Sequence, residues 1–509
     1  MPTTENQKLA QELDKATRLK TYLVSDDPAV EALVEKYLAL IKEARSADRS
    51  HDARYRDQLY ILICNLVSVN TKKNQWVFQG RGKPSYKITR YFFGLSKAVF
   101  VDGILDTLVS LNLLDQHLGF ERLDNTKRAT RLRAKGRLKA DIKKISPHVI
   151  TIDSLRETLW VQVTKKSWFD KRTGRKKKIK EKLDYEDSAQ TRTMRSNLKI
   201  INQKIEETFI GLWIEDTEHK KLNKRLKKKS PDFELNFNDK YLDRIFNNTV
   251  FTHGGRFYHG WWQEIPKVYR PYITINHQAV VELDYKHLHP AMLYNKLGVT
   301  ELLEGFDSYT LDIDGFNEEH RDALKQVFQC LINNDSKKKA LDTIRSKGLA
   351  KSFPLSPKEL MEEMIKKHFP IKSLFLNKEM GKQLQKVDSD IAEYCILEMI
   401  KKHDVLILPV HDSFIVQQDM IKHLEKVMIE AYSKFVKGNV PIDEKGFKLW
   451  HPYEGLGHDD VHLYEKYQDQ ALLYRKRFNK DGDEPFLAPD VFPDSYQDKD
   501  HCLVKLERL

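Results

Sequence analysis

Two short stretches decide the fold of this chain, VVELDYKHLHPAMLY at residues 280–294 and VLILPVHDSFIVQ at residues 405–417. In the first, Asp284 ends an apolar run that contains a single acid, Glu282, and such a run is typical of a buried strand. In the second, Asp412 lies between two apolar runs, which predicts a tight hairpin of two buried strands. We therefore expect both acids at strand ends, where a buried charge needs a partner such as a metal or another cation.

Each acid alone has a simpler explanation. Asp284 could cap the helix predicted over residues 289–298, whose Pro290 stands in the first turn, as proline prefers. Asp412 could hydrogen-bond within its own turn. Together, however, the two acids favour a binding site for two divalent metals. A site of this kind is the minimum needed to join nucleotides. The backbone carbonyl of Tyr285 would add a further oxygen ligand for Mg²⁺.

A third stretch, HRDALKQVFQCLINN at residues 320–334, predicts a helix. Arg321 and Lys325 are four residues apart and therefore share one helix face. A lysine placed over the phosphates of a nucleoside triphosphate can stabilise the leaving pyrophosphate and protonate it. A solvated helix face is the simpler interpretation of the same pair.

The composition favours a polyanionic partner. The 509 residues are 40% hydrophobic and 32% charged, with a net charge of +13, and this excess of cations suits nucleic-acid binding. The length predicts two to four domains. The scattered cysteines include no C-x-x-C pair, so neither a zinc site nor a disulfide framework is indicated; they are Cys64, Cys330, Cys395 and Cys502.

The sequence gives no reason to expect a membrane protein. The first 20 residues are polar and lack an apolar core of signal-peptide length. No run approaches 18 consecutive apolar residues. We expect the protein in the cytoplasm of a bacterial or phage-infected cell, associated with the nucleoid.

The N-terminal region predicts a helix followed by a hairpin. Residues 96–115 place apolar side chains at three- and four-residue steps, and residues 113–138 read as a β-hairpin with Arg128, Arg131 and Arg133. This order resembles a winged helix, whose basic wing suits phosphate contact. A structural unit, or a winged helix that binds protein, would give the same pattern.

Two basic runs follow, at residues 171–182 and 220–229, on either side of a helical segment at residues 186–214. Residues 158–169 before them are an aromatic-rich strand candidate. Basic runs are usually solvated loops or flexible linkers, although two of them could clamp a duplex.

From about residue 240, apolar strands alternate with amphipathic helices, which predicts an α+β fold with an antiparallel sheet backed by helices. We divide the chain into a helical, winged-helix-like region, a basic thumb-like connection, a catalytic core and a C-terminal tail. Their predicted bounds are residues 1–155, 156–235, 236–470 and 471–509.

Over about residues 250–435 the chain resembles the palm-and-fingers core of the single-subunit phage-type RNA polymerases and the related family-A DNA polymerases. The resemblance implies a right-hand polymerase fold. The motif A aspartate, the motif B R-x-x-x-K and the motif C His-Asp of these enzymes correspond here to Asp284, Arg321, Lys325, His411 and Asp412.

Weaker similarities extend the set of expected site residues. GGRFYHG, residues 254–260, is similar to a stretch before motif A and implies that Arg256 lies near substrate or template. DSYTLDI, residues 307–313, is similar to a D-x-Y segment before motif B. His411 and Ser413 are expected at the primer or template, and Arg270 at the nucleotide.

The chain also departs from the family pattern. Asn333 stands where motif B has a tyrosine that takes part in sugar selection. His289 stands where the DNA polymerases keep a glutamate that excludes the 2′-hydroxyl. Both residues are expected at the nucleotide, and the resemblance does not settle whether that nucleotide carries ribose or deoxyribose. No stretch suggests a 3′–5′ exonuclease domain.

These patterns predict a template-directed nucleotidyltransferase that uses two Mg²⁺ ions, with Mn²⁺ as a substitute. The HDSF form of motif C favours a small DNA-directed RNA polymerase or primase, and a family-A-like DNA polymerase is the alternative. The implied partners are a DNA template, a primer or product strand, nucleoside triphosphates, and replication or transcription proteins. A non-catalytic winged-helix replication initiator and a template-independent tailing enzyme are the other readings.

Overall fold

The structure is a computed structural model, and it describes residues 9, 12–13, 16–45, 52–72, 74–121, 127–153, 156–170, 175–214, 216–229, 235, 237, 240–299, 306–313, 316–317 and 320–445. Within these ranges the fold is a mixture of α-helices and β-sheets, as the sequence predicts. No described helix is both long and apolar enough to cross a membrane.

The chain forms two compact units. The first comprises Met1–Glu157 with Lys227–Glu234, and the second comprises Thr158–Leu226 with Leu235–Leu509. Most of the predicted connection at residues 156–235 thus groups with the segment that follows it. The domain bounds drawn from the sequence stay predictions, and the tail predicted at residues 471–509 lies outside the described residues.

The first unit is built from short strands and helices. The helices are α1 Pro28–Arg45, α2 Asp52–Ser68, the π-helical α3 Lys97–Leu105, α4 Asp106–Ser110 and α5 Gly136–Ile142. The strands are β1 Thr17–Arg18, β2 Leu23–Val24, β3 Val77–Gln79, β4 Leu114–His117, β5 Phe120–Glu121, β6 Lys127–Arg128, β7 Thr130–Ala134 and β8 Thr151–Ile152.

The predicted helix and hairpin of this unit are confirmed. Helices α3 and α4 follow each other over residues 97–110, and β4 pairs antiparallel with β7, with Leu114 opposite Ala134. Their sheet has the strand order β1-β3-β7-β4. The apolar face of α1 lies in the core, and its buried residues are Val30, Leu33, Val34, Tyr37, Leu38 and Ile41.

Two of the three arginines in the predicted basic wing are held by the first unit itself. Arg131 is 8% exposed; its Nε donates to the Leu13 carbonyl at 2.8 Å and its guanidinium lies over the Phe78 ring. Arg133 stacks 4.2 Å from the centroid of the Trp76 ring and donates to Asp115 at 3.0 Å. Arg131 is therefore too buried to reach a phosphate. The Arg128 side chain lies outside the described part.

The second unit contains the segment, residues 236–470, that the sequence predicts to be the catalytic core. Its helices are α6 Ala189–Glu207, α7 Asp216–Lys229 (whose last residues group with the first unit), α8 Trp261–Glu264, α9 Leu288–Lys296, α10 Arg321–Asn333, α11 Lys337–Lys347, α12 Pro357–Lys367, α13 Met380–His403 and α14 Ile421–Val436. Its strands are β9 Leu159–Asp170, β10 Arg175–Leu183, β11 Ile210–Leu212, β12 Lys240–Asn247, β13 Gly254–Gly260, β14 Ile273–Ile275, β15 Gln278–Tyr285, β16 Leu408–Val410, β17 Ser413–Gln417 and β18 Ile442–Lys445.

Both predicted basic runs form regular structure where they are described. Residues 175–182 belong to β10, which pairs antiparallel with β9 in a long hairpin. The second run belongs to the amphipathic helix α7, which buries Leu222 and Leu226 and exposes lysines on its other side. Disordered linkers, one of the alternatives for these runs, are therefore excluded for these residues, because strand pairing and an apolar stripe order them.

Strand β15 is the centre of the sheet that carries the predicted acids. It pairs antiparallel with β17 along one edge and with β18 along the other, and β17 pairs with β16 in a hairpin. The sheet has the order β11-β14-β15-β17-β16. Because β15 has neighbours on both edges, its apolar run is buried, as the sequence predicts.

Residues 273–285, ITINHQAVVELDY, form two strands rather than one continuous strand. The chain turns at Asn276 and His277, whose φ angles are +47° and +67°, and β14 and β15 form a hairpin around them. Two consecutive residues with positive φ are the mark of a type I′ turn, which matches the twist of paired strands. Asparagine often adopts a positive φ. Asn-His, however, is not one of the usual turn pairs such as Asn-Gly, so the sequence did not indicate a turn here.

Candidate active site

The two predicted acids lie at the same end of the central sheet. Asp284 is the next-to-last residue of β15 and stands directly opposite Ser413, the first residue of β17. Asp412 precedes Ser413 in the two-residue turn after β16, where His411 has a φ of +63°. The register of the antiparallel pair therefore makes Asp284 and Asp412 neighbours although 128 residues separate them in sequence.

A third acid extends this row. Asp443 of β18 stands opposite Asp284 on the other edge of β15. Its carboxylate lies 3.2 Å from the Lys286 ammonium. Asp284, Asp412 and Asp443 all line one cavity of about 720 Å³ in the second unit.

The cavity wall balances acids with bases. Its five aspartates are matched by five lysines and arginines, and two histidines stand among them. These titratable residues are Asp284, Asp307, Asp322, Asp412, Asp443, Arg256, Lys267, Lys286, Arg321, Lys325, His287 and His289. A wall with both signs of charge suits a ligand that carries phosphates together with cations.

Helix α10 supplies two cations in different states. Arg321 forms an ion pair with Asp307, and its guanidinium also lies 5.4 Å from the Tyr309 ring centroid. Lys325, one turn later, is exposed and has no ion-pair partner among the described residues. The predicted basic pair thus lines the cavity with one anchored cation and one lysine that can still bind an anion.

His287 and Tyr309 form the wall beside Arg321. His287 begins α9 with a φ of +54°, and its ring centroid lies 5.1 Å from that of Tyr309. Burial lowers the pKa of His287 below its ordinary value, and Arg321 acts in the same direction while Asp307 opposes it. The neutral imidazole can accept the contact from Arg321, whose Nη2 lies 3.5 Å from Nε2 of the histidine.

A buried aspartate holds two other predicted residues. Asp388 of α13 has a side chain with no exposure; it accepts from Arg256 Nε at 3.0 Å and contacts His289 Nε2 at 3.1 Å. Burial would lower the pKa of Arg256, but the charge and hydrogen bonds of Asp388 outweigh burial and raise it. Arg256 and His289 are therefore fixed in the cavity wall by one carboxylate.

Asp412 stays ionised in this setting. Burial raises its pKa, but Arg256, His289 and Lys325 together outweigh burial, so that the pKa lies below its ordinary value. No described cation comes within ion-pair distance of Asp412. Its charge is stabilised at longer range, which leaves the carboxylate oxygens accessible to a cation.

Other predicted residues have mainly structural contacts. The Tyr285 hydroxyl donates to the Met428 carbonyl at 2.7 Å, so its side chain points away from the cavity although the residue lines it. Arg270 donates to Glu282 at 3.1 Å and is absent from the described cavity lining, and the Ser413 hydroxyl donates to the same glutamate at 2.5 Å.

Two further predicted residues lie at the margin. Asn333 is the last residue of α10, where its Nδ2 donates to the Gln329 carbonyl at 2.8 Å. His411 contacts Tyr258, with ring centroids 6.3 Å apart. Neither is among the described residues that line the cavity.

Three residues of the site were not predicted from the sequence, namely Asp388, Asp443 and His287. A signal existed for Asp388, because it falls between Leu384 and Ile391 on the apolar stripe of α13, and an acid there needs a buried partner. Asp443 carries no such signal, since only the pairing of β18 with β15 places it.

The donor set fits a magnesium ion. No group of three or more His, Cys, Asp or Glu side chains is arranged to hold a metal within the described ranges. Mg²⁺, however, is commonly held by one or two carboxylates with water and substrate phosphates completing the shell. Asp284 and the ionised Asp412 meet that requirement at one cavity wall.

The chain was compared with models of known protein families and with curated proteins. No family model matches it, and no curated protein matches it significantly.

Proposed function

We propose that this protein is a template-directed nucleotidyltransferase whose second unit has the palm and fingers of a right-hand polymerase. The observation that carries the proposal is the meeting of Asp284, Asp412 and Lys325 at one cavity, as the motif resemblance implies. Two strand-end carboxylates beside a helix with a lysine that has no ion-pair partner among the described residues suit the joining of a hydroxyl to a nucleoside triphosphate.

The residues of the cavity have different roles in the proposed reaction. Asp284 and Asp412 would hold Mg²⁺, which when bound lowers the pKa of a hydroxyl nucleophile and neutralises phosphate charge. Lys325 binds the triphosphate, since it is exposed to the cavity and free of ion pairs within the described chain. Its ammonium can stabilise the leaving pyrophosphate and donate a proton to it.

Other groups position the reactants. Asp307 orients Arg321 toward the cavity, so that this guanidinium can hold a second phosphate oxygen in a fixed direction. Asp388 orients Arg256 and His289 beside Asp412, where the end of a primer and the sugar of the incoming nucleotide would lie. Positioning of this kind supplies a large part of catalysis in phosphoryl transfer.

We propose RNA synthesis on a DNA template as the reaction, on the basis of the His411-Asp412-Ser413-Phe414 motif. DNA synthesis is the second candidate, because His289, held by Asp388, stands where the resembled DNA polymerases keep a glutamate that excludes the 2′-hydroxyl. The partners are then a DNA template, a primer or product strand and nucleoside triphosphates, with Mg²⁺ or Mn²⁺.

A primer-extension assay tests the proposal. The full chain is incubated with a labelled primer on a longer DNA template, Mg²⁺, and either ribonucleoside or deoxyribonucleoside triphosphates. We expect template-copied product from the wild type and a loss of about 10³-fold in Asp412→Ala, because metal stabilisation of the reaction is worth several kcal/mol. Asp322→Ala, which removes a cavity aspartate on α10, should retain activity.

The outcomes separate the competing functions. Binding of the primer–template without synthesis under both nucleotide sets and both metals would leave a non-catalytic nucleic-acid-binding protein. Product that ignores the template sequence would indicate tailing. Equal loss in Asp412→Ala and Asp322→Ala would contradict the assignment of the metal site.

A further inference from the structure

The sheet formed by β9, β10, β12 and β13 has two unlike faces. Leu242, Arg244 and Phe246 of β12 point to one face and have no exposure. Asn202 of α6 hydrogen-bonds the backbone of Leu242 on that buried side. The alternate residues of β12 belong to the other face, since successive side chains of a strand point in opposite directions.

The pairing register of β12 with β9 and β13 shows which residues share the second face. Ile245 pairs with Trp160 in β9 and with Arg256 in β13, and the next row pairs Asn247 with Gln162. Directly paired residues point the same way, so all of these side chains share one face. We call this second face the open face. With the residues paired to those already named, it includes Trp160, Gln162, Lys180, Lys182, Asn247 and Tyr258.

The open face is exposed at its β10 end and becomes more buried toward β13. Lys180 and Lys182 are exposed, and Trp160, Gln162 and Asn247 are half-buried. At β12 the opposite face is unexposed, whereas at the β9–β10 end both faces are exposed. The open face is thus the face that stays accessible from β10 as far as Asn247.

This face leads to the candidate active site. Arg256, in the same row as Trp160, lines the cavity. Tyr258 lies two residues further along β13, and its ring is next to that of His411, which precedes the catalytic Asp412. A strand bound on the open face would therefore end beside the proposed metal ligands.

The chemistry of the open face suits a phosphate backbone. The Lys182 ammonium lies 3.1 Å from the Trp160 ring centroid, an arrangement that orients the cation. Gln162 donates to Asn247 at 3.3 Å, and both amides retain donors for sugar or phosphate oxygens. The acid on this face, Asp243, is buried and bound to His259 at 2.6 Å.

We propose that the open face binds the backbone of the nucleic-acid strand whose 3′ end lies in the cavity. The proposal rests on the proposed function for the direction of that strand. From β13 to β10 the face crosses three strand spacings, about 14 Å. This distance matches about four stacked nucleotides at about 3.4 Å each. Lys182 and Lys180 then contact phosphates a few nucleotides behind the 3′ end.

The test measures binding of a fluorescein-labelled DNA primer, annealed to a longer template, by fluorescence anisotropy. No nucleotide is added, and the salt concentration is varied. For the double variant Lys180→Gln/Lys182→Gln we expect weaker binding and a slope of log affinity against log salt that is smaller by about 1.8, or about 0.9 for each lost phosphate contact.

Lys165→Gln is the matched control, because Lys165 belongs to the same hairpin but pairs with Glu181 at 2.9 Å on the opposite face. We expect its affinity and slope to equal those of the wild type. All variants should remain folded, as a cooperative thermal unfolding transition would show. A slope unchanged in the double variant, or an equal decrease in Lys165→Gln, would overturn the proposal.

Primer extension by the same proteins separates this inference from the proposed function. If the wild type extends primers while the double variant binds as tightly as the wild type, the open face is not the strand site and the polymerase proposal stands. If no protein extends primers but the double variant loses affinity, the face binds nucleic acid and the polymerase proposal fails.

Discussion

The hairpin of the first unit and the cavity of the second unit are both predicted from basic residues, yet the two regions use those residues differently. In the hairpin, Arg131 and Arg133 are held by backbone carbonyls, aromatic rings and Asp115 of the same unit. In the cavity, Lys325 is exposed and Asp412 has no ion-pair partner within the described chain. Positive charge in a sequence therefore does not by itself indicate a binding site, because the fold decides whether the cation stays accessible.

Arg256 is an intermediate case, because it lines the cavity but is held by the buried Asp388. The variant Asp388→Asn leaves Arg256 without its counter-charge. We expect the free energy of unfolding to fall by about 3 kcal/mol, since breaking a buried ion pair leaves an uncompensated charge. Urea denaturation measures the change, and primer extension should weaken as Arg256 and His289 lose their orientation.

Asp390→Asn is the control for that variant. Asp390 lies on the same helix and pairs with Arg244, which also contacts Ser389 and Glu393. Arg244 therefore keeps other partners, and the loss of stability should be clearly smaller. Equal stability of Asp388→Asn and the wild type would show that the Asp388 carboxylate does not stabilise Arg256 in the cavity wall.

A second pair of variants tests the comparison directly. We expect Lys325→Gln to leave stability unchanged and to lower kcat/KM for the nucleotide by about 10²-fold, because a cation on the transferring phosphates acts mainly in the transition state. We expect Arg133→Gln to cost about 0.5–1 kcal/mol of stability, since it removes a stacked, partly exposed cation, and to leave kcat/KM unchanged. Unfolding curves and steady-state kinetics on both proteins measure this. A loss of stability in Lys325→Gln with unchanged kcat/KM, together with a loss of kcat/KM in Arg133→Gln, would contradict the comparison.

The smallest expected effect is a pH dependence in the first unit. Hydrogen bonds from Lys36, and to a smaller extent from Tyr37 and Lys144, lower the pKa of Asp141 from 3.8 to about 2, against the effect of burial. Because the folded pKa is the lower one, the contact stabilises the protein above about pH 4, and this stability is lost as the pH falls to about 2. Asp141→Asn should cost about 1 kcal/mol at pH 7, and this cost should shrink steadily as the pH falls from about 4 through about 2. A cost that does not vary with pH in urea denaturation would contradict this assignment.

Much of the second unit could be predicted from its sequence, because its elements carry strong local signals. The apolar runs around Asp284 and Asp412 and the spacing of Arg321 and Lys325 placed these residues on strands and a helix that the structure contains. Their meeting at one cavity followed from the motif resemblance rather than from periodicity.

What the sequence did not predict depends on pairing between distant segments. Asp443 reaches the acid row through the pairing of β18 with β15, and Asp388 reaches Arg256 through helix packing on β13. The internal use of Arg131 likewise depends on Phe78 of the neighbouring strand β3 and on a carbonyl 118 residues away. Such contacts leave no local pattern, so they become visible only in the folded chain.

The central claim is that Asp284 and Asp412 hold a divalent cation together. It is tested most directly by the binding of Mn²⁺, measured by electron paramagnetic resonance in the presence of a nucleoside triphosphate. We expect the wild type and Asp322→Asn to bind Mn²⁺ equally, and Asp284→Asn and Asp412→Asn each to lose that binding. Unchanged Mn²⁺ binding in both of the latter variants would contradict the claim.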